Sequence, residues 1–233
     1  MNKPTIPHYG RLAWTPSTAE PKGLNAQKIV SVAIELADAQ GLAQVTIRNL
    51  GKQLGSATMA VYRHIESRDE LLILMFDTSL GEPPSISQHA TSRTDAMRTW
   101  GKTIFERYQT HPWILDIPVG GVPTTPNHIA WIERILEGLV PYEALDLQHK
   151  LDIALLIDGH ARTIASMSRS DRSSIMGNLH VSPEWLPQVL DNTLYPLFTE
   201  VVNRGPLADG KTLNFDDGLN IIINGIERSI LSN

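Results

Sequence analysis

Apolar residues recur along this chain at helical spacing, and no stretch shows the alternation of a half-buried strand. Ile29, Ala33, Leu36 and Ala37 fall at i, i+4, i+7 and i+8, the buried face of a first helix. Asn25 caps it and Gly41 ends it. Thr46 opens a second helix that runs to Leu54, with Ile47, Leu50 and Leu54 inward and Gly55 closing it. The third is short and packs Met59 or Val61 inward. Ser67 and Glu70 make the S-x-x-E pattern of a capping box before a fourth helix with the stripe Leu71, Leu74 and Met75. Its stiff exit is Glu82-Pro83-Pro84.

The body repeats the pattern at larger scale. Residues 81–92 read as a linker by composition. Ala96, Trp100, Ile104 and Tyr108 recur every four residues and predict a helix over 93–110. His111-Pro112-Trp113 starts a short helix that stops before Pro118, and 119–127 reads as a loop. Asn127 is the expected cap of a helix carrying Ile129, Ile132, Leu136 and Leu139. From Ala144 to Ser168 the pattern is apolar almost all round, as in a helix buried on more than one side. Residues 170–182 read as a loop, then a helix over 183–203 with kinks at Pro187 and Pro196. After a loop at 204–213, Leu219, Ile222, Ile223, Ile226 and Ile230 line a last helix. The fold class is therefore all-α. A flexible arm, 1–23, precedes a helix-turn-helix domain, 24–80, and a larger helical-bundle domain, 93–233.

Composition narrows the chemistry. With 233 residues the chain suits one large domain or two unequal ones. It has no cysteine, so disulfides, thiolate metal sites and thiol nucleophiles are excluded, which fits a cytoplasmic location. No apolar run approaches the ~20 residues of a membrane span. The net charge of −5 is unevenly spread. Residues 1–75 carry eight Lys/Arg against six Asp/Glu, and 76–233 carry twelve against nineteen. The N-terminal third can face phosphates while the acidic body stays away from them. The histidines at 8, 64, 89, 111, 128, 149, 160 and 180 show no i, i+3 or i+4 pair, and no nucleotide-binding or nucleophile motif is present. No catalytic residue, metal or cofactor is expected.

The candidate site lies in residues 46–68. A helix that reads DNA must enter a major groove ~12 Å wide and be held at a fixed angle by a partner helix. The third helix offers Thr58, Tyr62, Arg63 and His64 as donors. Arg48 and Lys52 stand one turn apart on the second, and Arg68 opens the fourth. In the body, Trp100, Phe105, Tyr108, Trp113 and Trp131 are candidate walls of a ligand pocket. Asp158, His160 and Arg162 interrupt a very apolar helix and are its candidate polar groups, although aromatic spacing of this kind equally suits a core and Asp158 with Arg162 a surface pair. The helices at 145–168 and 214–231 are candidates for a four-helix interface between two copies, with Leu151, Leu155, Leu219, Ile222, Ile223 and Ile226 at it. The alternative is that both are buried within one chain.

Residues 24–80 resemble the N-terminal domain of the tetracycline-repressor family of bacterial regulators. The resemblance rests on Ala33-x-x-Leu36 with Gly41-Leu42, Thr46-Ile47-Arg48-Asn49-Leu50 with Leu54-Gly55, Ala60-Val61-Tyr62-Arg63-His64, and Arg68-Asp69-Glu70-Leu71-Leu72. The body is similar to the ligand-binding half of the same branch through Trp100, His111-Pro112-Trp113, Phe215-x-x-Gly218-Leu219 and Gly225-Ile226. The resemblance implies contacts to phosphates or bases from Arg48, Thr58, Tyr62, His64 and Arg68. It also implies a fourth helix that links the reader to the pocket. A homodimer on a palindromic double-stranded operator, released by a small-molecule effector, is the expected arrangement. A helical DNA- or protein-binding adaptor without such a switch is the alternative.

Overall fold

The computed structural model describes residues 5–15, 23–86, 94–118, 122–169, 185–204 and 214–231, and among these no strand occurs. The expected loop at 170–182 lies outside the described residues, as does that at 204–213 except for Arg204, which closes a helix, and half of the expected linker, 87–92.

Within residues 1–23, expected to be a flexible arm, the described stretch 8–14 needs correction first. His8–Trp14 form helix α1, which packs on the helix that leaves the reader. His8 Nδ1 lies 2.7 Å from Glu70 Oε1, and Trp14 Nε1 donates to Thr124 O at 3.0 Å. These contacts tie the segment down at both ends.

Four helices follow as expected. In α2, Ala26–Gln40, the Asn25 side chain accepts from Lys28 N and Gly41 turns the chain at φ 83°. In α3, Ile47–Gln53, Thr46 Oγ1 accepts from Asn49 N. Helix α4 is five residues, Thr58–Tyr62, and buries Val61 while Met59 stays 69% exposed, which decides between the two. Helix α5, Arg68–Leu80, buries Leu71, Leu74 and Met75 and ends at Gly81, just before the diproline exit. Only half of its capping box forms. Ser67 Oγ accepts from Glu70 N at 3.0 Å, but the Glu70 carboxylate turns to His8 instead.

In the body, α6 (Asp95–Thr110) lies against α8 (Leu147–Arg169) and α11 (Phe215–Leu231), and α7 (Pro126–Gly138) joins α5 to α8. A short 3₁₀ turn, Pro112–Asp116, packs under α6. Asn127 is not the cap of α7. Thr125 holds that position with Pro126 in the first turn, and the Asn127 side chain donates to Asp77 O. The cap itself comes from another helix: Asp77 Oδ1, on α5, accepts from His128 N at 3.0 Å. The expected helix over 183–203 is two helices, α9 (Leu186–Val189) and α10 (Pro196–Arg204). Asp191 stabilises the turn between them by accepting from Thr193 N, and Pro196 has no N–H with which to continue a helix. One continuous core runs from Ile29 in α2 to Ile223 in α11.

Candidate nucleic-acid interface and interior polar cluster

The angle between α3 and α4 is set at one backbone approach. Ser56 N donates to Gly51 O at 2.9 Å. A Cβ on the buried Gly51 would stand 2.9 Å from Ser56 O, too close for any side chain. Gly55 then takes φ 61° in the turn. Gly51→Ala is expected to destabilise the fold by about 1–3 kcal/mol, as overpacking does, because the obstruction is backbone that cannot rotate away. Thermal or urea unfolding checks it, and an unchanged midpoint would mean that α3 and α4 tolerate a wider angle.

With Val61 and Ile65 inward, α4 turns Thr58, Met59, Tyr62 and Arg63 to solvent, and His64 is half-buried. Arg48 and Lys52 are exposed on α3, and Arg68 at the start of α5. Among the described residues no hydrogen bond or ion pair engages Arg48, Lys52, Arg63 or Arg68. The body contrasts with this. Arg134 pairs with Glu137 at 3.0 Å, Arg162 with Asp158 at 3.1 Å and Arg169 with Asp116 at 2.5 Å. The reader therefore keeps its cations available to an external anion. Met59 also stands at this surface as an apolar side chain able to meet a thymine methyl. The sequence offered it only as a possible core residue.

The interior holds one polar cluster of note. Tyr108 donates to Asp158 Oδ1 at 2.5 Å, and Arg162 Nε donates to Asp158 Oδ2. The Arg162 guanidinium also lies 4.8 Å from the centre of the Tyr108 ring. Burial, reinforced by Asp158, pushes the Tyr108 hydroxyl well above its ordinary range, so it stays a neutral donor. His128, at the start of α7, sits in the field of Asp158, Asp77 and Arg162, and burial holds its imidazole below the usual range. Its ring meets Phe76 of α5 edge-on at 5.2 Å, while its backbone N–H binds Asp77. His128 thus stands between the cluster and α5. Its partners lie 30 to 52 residues away, and no local spacing signals them.

The remaining expected pocket residues have other partners. Trp100 Nε1 donates to Trp131 O and Trp131 Nε1 to Gly81 O, with the two rings packed edge-to-face in the core. Trp113 Nε1 donates to Asp38 of α2, which also meets His111 Nδ1 at 2.8 Å. Phe105 stacks on Phe215 at 4.2 Å. His160, expected as a polar pocket group, bonds Phe215 O, stacks on the Phe215 ring and presses on Gly218, where a Cβ would come within 2.2 Å of it. It is a packing residue between α8 and α11.

Two expected interface residues also need correction. Leu219 and Ile223 are fully buried against the chain's own helices and have no surface to offer a second copy. Leu151, Ile222 and Ile226 are half-buried. Leu155, also expected there, does lie on the outward face of α8 (59% exposed), with Leu156 (57%), Gly159, Thr163 and Met167, and α11 adds Ile221 (69%) and Gly225.

Comparison with known proteins agrees with this architecture. Residues 29–75 match the model of the bacterial regulatory proteins of the tetR family, and residues 88–230 match that of the tetracyclin repressor-like C-terminal domain. The chain is similar to the HTH-type transcriptional repressor DrrR1 of Streptomyces coeruleorubidus, 26% identical across 91% of this chain and 80% of the repressor. It is 23% identical to an HTH-type transcriptional repressor of Mycobacterium tuberculosis, across 89% of this chain and 82% of that one. Among solved structures, Streptomyces coelicolor ActR in complex with actinorhodin superposes with a TM-score of 0.73 at 24% identity, covering 90% of this chain and 99% of ActR. None of the described helices is long and apolar enough to cross a membrane.

Proposed function

Because the chain belongs to the tetracycline-repressor family of DNA-binding transcriptional regulators, we propose that it represses transcription as a homodimer on a palindromic operator and lets go when a small organic effector binds its body. The observation that carries the reading is the set of cations on the reader, Arg48, Lys52, Arg63 and Arg68, that meet no partner among the described residues, while Arg134, Arg162 and Arg169 of the body each meet a carboxylate. Lys52 and Arg68 serve the phosphate backbone, while Arg48 and the α4 surface of Thr58, Met59, Tyr62, Arg63 and His64 meet base edges or phosphates.

The dimer follows from the outward faces of α8 and α11. Leu155, Leu156, Met167 and Ile221 are large, apolar and uncovered within one chain, and Gly159 and Gly225 leave room for a close helix approach. Two such helices from each copy make a four-helix interface. Leu194, Leu197 and Phe198, between and on α9 and α10, add further exposed apolar surface that a second copy would cover. A two-fold dimer also presents two α4 helices to successive major grooves, about 34 Å apart.

The effector site is the Tyr108–His128–Asp158–Arg162 cluster. It supplies a carboxylate, a guanidinium, a phenol and an imidazole in half-buried surroundings, suited to the hydrogen-bonding end of an organic ligand. A ligand that draws Arg162 or Asp158 away disturbs His128, and with it the Asp77 cap and the Phe76 contact on α5. Helix α5 begins beside α4, so a shift there changes the distance between the two readers. The difference in ligand affinity between the two positions of α5 is what drives release.

ActR is solved with actinorhodin, which makes that compound the first probe. Actinorhodin, or a panel of related aromatic acids, is expected to quench tryptophan fluorescence and to free operator DNA in a gel shift. In Arg162→Ala the effector concentration needed should rise about 10-fold or more, as expected when a charge-assisted hydrogen bond of about 1.5–3 kcal/mol is lost. Operator affinity without effector should stay within a factor of a few. An Arg162→Ala protein released at the same concentration as the unmodified one would remove the cluster from the effector site.

A further inference from the structure

We infer that His8, Glu66 and Glu70 form a divalent-cation site that fastens α1 to the start of α5. One donor atom from each residue lies within 4.8 Å of the other two, and among the described residues no other three such groups converge in this way. His8 Nδ1 is 2.7 Å from Glu70 Oε1 and 3.9 Å from Glu66 Oε1. A zinc-class ion with bonds of about 2.0–2.2 Å holds its donors roughly 3–3.5 Å apart. Small side-chain rotations therefore close the site, and the exposed Glu66 is free to make one. The contacts His111–Asp38 and His149–Asp146 each bring a single carboxylate to an imidazole and lack the third donor.

Glu70 gives an independent reason. Its carboxylate is 6% exposed, and it has left the helix cap that its sequence position suits in order to face His8. Among the described residues no Lys or Arg pairs with it, so its charge is met only by an imidazole that is cationic when protonated. A buried carboxylate in that position costs free energy, which a bound dication offsets. One imidazole nitrogen and two carboxylates suit Zn²⁺, Co²⁺, Mn²⁺ or Fe²⁺ better than Mg²⁺ or Ca²⁺, which prefer oxygen alone. Three protein donors leave a fourth position for water.

The position gives the ion a role. Arg68 stands in sequence between the two glutamates and is exposed, so on the proposed reading of Arg68 as a phosphate contact an ion that neutralises them removes repulsion from that phosphate. At its other end α1 is bound to the loop before α7 through Trp14 and Thr124. The occupied site therefore clamps the reader to the body along α1.

The test uses untagged full-length protein stripped with chelator, then titrated with Co²⁺ by visible absorption and with Zn²⁺ by calorimetry. One equivalent per chain is expected. His8→Ala and Glu66→Ala should each weaken it by at least the roughly 10–100-fold that losing even a supporting partner costs a metal site. His149→Ala should leave it unchanged. Glu70→Gln should also lose the ion, and its melting curve reports whether it has kept the fold. Should that variant unfold, the two surface-accessible variants decide. The absence of a saturable equivalent in the unmodified chain, or one whose affinity is the same in His8→Ala and Glu66→Ala, would overturn the proposal.

Discussion

Leu155→Glu combined with Ile221→Glu is expected to yield monomers and to lower operator affinity by roughly 10²–10⁴-fold, the avidity lost when two linked readers become independent. Both side chains are more than half exposed in the single chain, so the substitutions leave its core untouched. In the dimer they would bury carboxylates against their own symmetry mates, which costs several kcal/mol for each ion. Sedimentation velocity should show one species at half the mass, and circular dichroism an unchanged helix content and melting curve. Substituting the fully buried Leu219 or Ile223 would destabilise the chain itself instead, so those variants cannot separate assembly from folding. A dimer that survives the double substitution would move the interface elsewhere, with the exposed apolar surface of Leu194, Leu197 and Phe198 the next place to look.

The second large effect concerns the reader. Arg48→Ala with Arg68→Ala is expected to reduce operator affinity by roughly 10³-fold at fixed salt. The reasoning counts four lost contacts per dimer at about 1 kcal/mol each, the typical net value of a hydrogen bond, taken below the charged-group range because these side chains stay partly hydrated. Neither side chain has a partner among the described residues, so removing them strands no described buried group and stability should change little. Fluorescence anisotropy on a palindrome from the protein's own upstream DNA measures the loss, and thermal melting checks the fold. An affinity within threefold of the unmodified protein would mean that these arginines do not touch DNA.

Most helices of the reader and body were legible because each carries its own local signals. Asn25, Thr46 and Ser67 cap helices where the pattern predicted them, and Leu50, Leu71 and Met75 face inward at helical spacing. What escaped depends on contacts between distant segments. The helix in residues 8–14 is held by Glu70 and Thr124, neither of which a reading of the first 23 residues can see. The cap of α7 is Asp77, some 50 residues earlier in the chain, so the nearest polar residue, Asn127, was a reasonable but mistaken choice. His160 looked like a polar intrusion in an apolar helix, yet its ring fills the gap left by Gly218 and bonds Phe215 O. His128, beside the Asp158–Arg162 pair, gave no signal at all. Helical periodicity also says which residues are turned inward without saying whether another helix or a second copy covers them. For that reason Leu155 and Leu219 looked alike in sequence and differ in the fold.

The central claim is that the free cations of α3 to α5 hold DNA phosphates, and the salt dependence of operator binding tests it most directly. Four such cations per chain, eight per dimer, predict that log K falls against log salt with a slope of about −7. That corresponds to a loss of roughly 10³–10⁵-fold between 50 and 200 mM. Arg48→Ala with Arg68→Ala removes four of the eight and should flatten the slope to about −4. A slope near zero in the unmodified protein, or one that the double substitution leaves unchanged, would contradict the account.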